Sequence, residues 1–340
     1  MLLILQSNYK YLIMHNLQLI ITTILSIVLS GFIGTSNSTV YAGKTYEWQN
    51  IVTHGGGCFP PNCVEGKFAM AVLPLVAFDG NLYSIGDKSV WLSGDGLTWN
   101  SQPKTDWGTR HGMRFAFFKN KLWMTGGMQA WDDFRNDVWF SDNGRDWKKA
   151  VSNAAWVPRR NHGLVVFHDK LWILGGALSS GRSDQTPTQF LSDVWSSEDG
   201  MNWKLVTQNA PWADRDTPVS LVFDNKMWII GGGVRRDVWS SADGKNWTLI
   251  TGQAPWVGRK GNGGLVFDGE MWIFGGMDLN DVWHSSNGKD WKLAFRNAPW
   301  STRTTFYSIA FKNKLWLFSG KTGREDSWAG DIWVMSKKTE

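Results

Sequence analysis

The sequence predicts an all-β protein: a six-bladed β-propeller of four-stranded blades whose last blade is closed by the N-terminal strand. Three observations predict it. An apolar run ending in phenylalanine recurs at Phe78, Phe118, Phe167, Phe223, Phe267 and Phe311, followed each time by a short polar turn and, after two further residues, an aromatic. A second anchor, mostly Asp-Val-Trp, recurs with its tryptophan at Trp91, Trp139, Trp195, Trp239, Trp283 and Trp333, and a third places Trp99, Trp147, Trp203, Trp247 and Trp291 after an Asp-Gly or Asn-Gly turn. The sixth copy ends without that third anchor, and "TYEWQNIVT" (45–53) supplies it through Trp48 at the other end of the chain. Self-similarity at this period marks a supersecondary unit copied around an axis, and exchange of one strand between the chain ends closes the ring without a free sheet edge.

Each unit reads as four short strands, a to d. In the third copy these are "HGLVVF", "LWILGG", "DVWSS" and "NWKLVT". Asp-Gly and Asn-Gly between c and d supply the positive backbone angles of a tight hairpin. The predicted boundaries are a closing strand at 45–53 and blades at 71–101, 111–152, 160–208, 216–252, 260–296 and 304–337. With 42% hydrophobic residues, the chain can bury a sizeable core as this single domain, 43–340.

The segment before the repeats reads as targeting. Lys10 is the only charged residue before position 43, "LQLIITTILSIVLSGFIG" (17–34) is apolar, and small residues in "STVYA" suit cleavage after Ala42. The expectation is a secreted or periplasmic protein, with a membrane association only if residues 1–42 stay attached as an anchor. Cys58 and Cys63, the only cysteines, flank a Pro-Pro turn and in an oxidising compartment form a local disulfide; a metal site with His54 is the weaker reading. A net charge of +5 without a basic stripe points away from nucleic acid.

Three features resemble kelch repeats: the double glycine after strand b (Gly126-Gly127, Gly175-Gly176, Gly231-Gly232, Gly275-Gly276), the arginine before strand a, and the aromatic on strand c. The resemblance, within the galactose oxidase/kelch-like propellers, covers about residues 45–337. Tryptophan stands on strand c where kelch repeats usually carry tyrosine, and "SSEDGMNW" is similar to the Asp-box of sialidase-type propellers but one residue short. Kelch propellers that bind acidic peptides use arginines at the motif position occupied here by Arg110, Arg159, Arg215, Arg259 and Arg303. The resemblance thus implies anion contacts by these five; the sixth position is Met70. The bland reading is that a residue repeated in every blade holds its connector.

Strand alternation places the a–b and c–d turns on one face and the irregular b–c and d–a connections on the other, which is the predicted functional face. Of 24 tryptophans, 22 fall on repeated positions; Trp131 and Trp328 do not, and both sit in b–c loops as candidate stacking platforms. His111 and His162 enter strand a at the channel mouth, Tyr307 lies on strand a of the last blade, and Asp214 and Asp216 flank Arg215. The unrepeated Arg160, Arg235, Arg236 and Lys260 add positive charge near the same face, and the long blade-3 insertion 177–192 is placed to cover it.

No catalytic set assembles. A galactose oxidase-type copper site needs a thioether cysteine, and both cysteines sit together in one connector; no sialidase-like Arg-Ile-Pro segment is present. The expectation is therefore a monomeric binding module without cofactor or metal. Its ligand is a carbohydrate or an acidic protein or peptide segment, held by Trp131, Trp328, the five arginines and His162. A carbohydrate-active enzyme similar to sialic acid mutarotases is the alternative.

Overall fold

The computed structural model describes residues 37–41, 44–52, 74–85, 90–102, 107–108, 110–129, 133–178, 188–212, 215, 217–323 and 327–338. Six antiparallel sheets form the blades of a β-propeller, each ordered a-b-c-d. The innermost strands are Leu75–Phe78, Arg114–Phe118, Gly163–Phe167, Val219–Phe223, Gly263–Phe267 and Tyr307–Phe311. Strand a of every blade touches strand a of both its neighbours, so the ring closes on itself.

Closure runs through the chain ends as the repeat requires. The N-terminal strand Lys44–Val52 pairs antiparallel with the last strand, Ile332–Lys338, placing Trp48 opposite Met335. Blade 6 carries one strand more than expected: Asn37–Tyr41 forms a hairpin with Lys44–Val52 and makes this sheet five-stranded. That extra strand falls inside the segment assigned to targeting; residues 17–34 themselves, with Cys58 and Cys63, lie outside the described residues.

The core is distributed as six apolar clusters, one at each blade–blade interface. Tryptophan is its commonest and largest residue, each ring burying on the order of 2–3 kcal/mol. The repeated residues lock blades pairwise. The connector tryptophans Trp107, Trp156, Trp212 and Trp256 pack edge-on against Trp147, Trp203, Trp247 and Trp291 of strand d in the blade that follows. In blade 6, Trp300 meets Trp48, the residue delivered by the N-terminal strand.

The eleven-residue hairpin is repeated for a related reason. Its turn glycine lands on the strand-b aromatic of the preceding blade: a β-carbon on Gly144 would come within 2.3 Å of the Tyr83 ring, on Gly200 within 2.3 Å of Trp123, and on Gly288 within 2.1 Å of Trp228. These glycines also have φ near +75° (74°, 76° and 72°), a conformation that L side chains rarely adopt. Turn geometry and interblade packing therefore demand glycine independently.

Candidate functional site

The starts of all six strands a converge on a cavity of about 650 Å³ at the mouth of the central channel, on the b–c/d–a face. Within each blade, the residue four positions before the strand-a phenylalanine begins the channel wall. The six are Pro74, Arg114, Gly163, Val219, Gly263 and Tyr307. Four are apolar or lack a side chain, and two break the repeat with functional groups.

Arg114 lies deep in the molecule yet open to this cavity. Its Nη1 donates to the carbonyl of Met113 at 3.1 Å, and burial pulls the guanidinium below its usual pKa, an effect partly opposed by Tyr307. Burial in turn pushes the Tyr307 phenol up to about 12, with the Arg114 charge acting in the other direction. Tyr307 is thus a hydrogen-bond donor at neutral pH, beside a fixed cation.

Nearer the mouth stand His111, Arg160 and Lys260, three residues before the first strand-a positions of their blades, and Lys321 from the short hairpin that follows strand b of blade 6. Arg160 is anchored through its backbone, exchanging both hydrogen bonds with Ala177 (3.0 and 2.9 Å), while its Nε is buried without a partner. Lys321 is fixed the same way against Thr304 (3.0 and 2.9 Å). No Asp or Glu occurs among the described lining residues, and Arg114, Arg160 and Lys260 form no ion pair among the described residues.

The rim between these positions is conformationally constrained. Gly112, Asn161, Thr217, Gly261 and Thr305, equivalent in their blades, all have φ between 47° and 66°. β-Branched threonine in the left-handed region is a genuine outlier, and such strain concentrates where a ligand clamp over-determines the backbone. Interblade hydrogen bonds hold it: Asn161 N–H to Gly112 O (2.8 Å), Thr305 N–H to Gly261 O (3.0 Å), and Gly261 N–H to Thr217 Oγ1 (3.1 Å).

The five repeated arginines stand elsewhere, and the reading of them as anion contacts is corrected. Arg110, Arg159, Arg215, Arg259 and Arg303 are between 0% and 4% exposed, and each guanidinium pairs with both oxygens of the aspartate that opens strand c: Asp137, Asp193, Asp237, Asp281 and Asp331. Each also donates to the carbonyl that ends strand b, and the strand-c tryptophan donates to the same aspartate. The physical reason is that the aspartate two residues before the strand-c tryptophan offers each guanidinium a bidentate, charge-neutralising partner inside its own blade. A signal for this was in the sequence: blade 1, with Met70 in place of the arginine, also has Ser89 in place of the aspartate. The two partners are lost together.

His162 is likewise corrected. It is 1% exposed and sits between blades 2 and 3, its Nε2 2.8 Å from Thr125 Oγ1. Burial, then the charges of Arg114 and Arg159, lower its pKa well below the usual value, so the ring is neutral. The neighbouring Arg160 and Asn161 line the cavity in its place. Trp131, Asp214 and Asp216 lie outside the described residues, as does most of the insertion (179–187). The backbone of Trp328 pairs with that of Lys321, which places Trp328 on the hairpin carrying a lining lysine. Arg114 and Lys321 were not singled out in the sequence; aligning the blades on their strand-a phenylalanines exposes Arg114 as the one cation at its position.

No protein-family model matches this sequence, and no curated protein matches it. Among solved structures, one described as "Structure of YjhT" superimposes with a TM-score of 0.65 at 15% identity, covering 79% of this chain and 98% of that one. At that identity the likeness shows the propeller fold alone, and the kelch relationship stays a resemblance of motifs.

Proposed function

We propose that this propeller is a binding module for an anionic carbohydrate, held in the cup at the centre of its b–c/d–a face. One observation carries the reading: Arg114, Arg160 and Lys260 converge on a concave site that has no carboxylate of its own among the described residues. Cations left uncompensated by the protein favour an anion, which arginine engages through paired hydrogen bonds. A volume of about 650 Å³ suits a small molecule better than a protein surface. Pro74, Leu75, Met113, Phe115 and Phe306 on the blade 6-1-2 side offer an apolar wall against which the C–H face of a sugar ring packs.

Calorimetric titration of the full chain with glucuronate, glucose and an acidic peptide tests it. Saturable binding of glucuronate that Arg114→Gln weakens at least tenfold, with glucose inert, is the expected result; binding of the peptide alone transfers the site to an acidic protein partner. The enzyme alternative has a specific point in its favour. His111 offers an imidazole and Tyr307 a phenolic proton at the same cavity, a pair that could move protons on a bound sugar acid. Exchange between the anomers of glucuronate, followed by NMR with and without protein, tests it. Export belongs to the same reading and is supported by the apolar 17–34 stretch and the paired cysteines; recovery of the mature N-terminus from the culture medium or periplasm is the check.

A further inference from the structure

The cations of the cup stand at two depths. Arg114 begins strand a of blade 2, level in the repeat with Gly163 and Gly263 of blades 3 and 5. Arg160 and Lys260 precede those glycines by three residues, a stretch that spans up to about 10 Å of chain toward the mouth. The inner position pairs a cation with the Tyr307 hydroxyl; the outer one brings together two cations from blades 3 and 5, beside Lys321 of blade 6. Neither tier is neutralised by an ion pair among the described residues. The Arg160 Nε is buried without a partner, and Arg114 is sunk below the rim. By contrast, the five arginines that serve the fold are each neutralised by an aspartate. A ligand with one acid group engages one tier and leaves the cations of the other without an anionic partner.

We propose that the cup takes a carbohydrate bearing two separated acid groups, the inner held by Arg114 and Tyr307 and the outer by Arg160 and Lys260. This rests on the anion-binding reading above and adds to it the number and spacing of the charges. Aldarates and two-residue uronides have this chemistry; simple uronates do not.

The test titrates the full chain at fixed ionic strength with glucose, glucuronate, glucarate and digalacturonate. At least one of the two dianions binds about tenfold or more tighter than glucuronate, the gain expected of one further charge-assisted contact. Arg114→Gln and Lys260→Gln each reduce that dianion to the affinity of glucuronate, and its binding weakens more steeply with added salt. Lys260→Gln is the safeguard: its side chain is exposed, so the substitution is expected to leave the fold intact, which circular dichroism checks. If glucuronate and both dianions bind within threefold of one another, the two-tier proposal is overturned while the anion-binding cup stands. If no acid binds better than glucose, both fall.

Discussion

Replacement of Asp193 by alanine separates the structural arginines from the binding cations. Arg159 is fully buried; its Nη1 and Nη2 donate to Asp193 at 2.6 and 2.7 Å, Nη1 also to Gly175 O at 2.8 Å, and Nε to Val157 O at 3.0 Å. The Trp195 indole donates to the same carboxylate at 2.7 Å. Asp193→Ala leaves the guanidinium with two carbonyls and no counter-charge, and the indole N–H without its acceptor. Removing one partner of a buried pair costs about 3–5 kcal/mol, so about 4 kcal/mol is expected. At roughly 2 cal/mol/K per residue over about 300 residues, that is a fall of about 6 °C in Tm. The double variant Arg159→Met/Asp193→Leu removes both charges and recovers most of the loss. Thermal unfolding at a fixed scan rate measures both, and glucuronate titration accompanies it. A single variant melting within 1 °C of the parent would refute the energetic argument. A double variant that folds but no longer binds acid would return the repeated arginines to the site.

Gly200→Ala should destabilise by about 2–4 kcal/mol, because the β-carbon adds strain at φ 76° and meets the Trp123 ring; denaturant midpoints check this. The c–d turns predict acid sensitivity. The N–H groups of Thr98 and then Leu97 pull the Asp95 carboxyl down to about 2; at Asp199 burial pushes upward but is outweighed by bonds led by the Asn202 N–H, again to about 2. Depressed carboxyl values mean stability that is present above about pH 4 and lost as pH falls toward 2. Asn143 and Asn287 fill the same position in blades 2 and 5, so the triple variant Asp95→Asn/Asp199→Asn/Asp243→Asn should fold and show a flatter Tm profile over that window. For His162 the folded ring stays neutral while the unfolded chain takes up a proton below about pH 6.5. Stability therefore declines as pH drops from 7 to 5, and His162→Gln should make that decline shallower.

Local chemistry made the propeller legible. Strand periodicity, the Asp-Gly turns and the displaced Trp48 each constrain near neighbours, so the blade count, the closure and the face that bears the cavity could all be read from spacing. The extra N-terminal strand, Asn37–Tyr41, could not, because it adds to the outer edge of strand d, an edge the other five blades leave uncovered, so no repeated motif records it. The site divided along the same line. Arg160, Lys260, His111 and Tyr307 stand out in the sequence as departures from the repeat. The direction of the five repeated arginines depended on an aspartate between 22 and 34 residues away. Repetition in a chain reports what every blade needs, which is packing and charge neutralisation. What the ring's centre holds is decided only when unlike residues from different blades, such as Arg114 and Tyr307, meet across the axis, and that meeting has no sequence spacing to announce it.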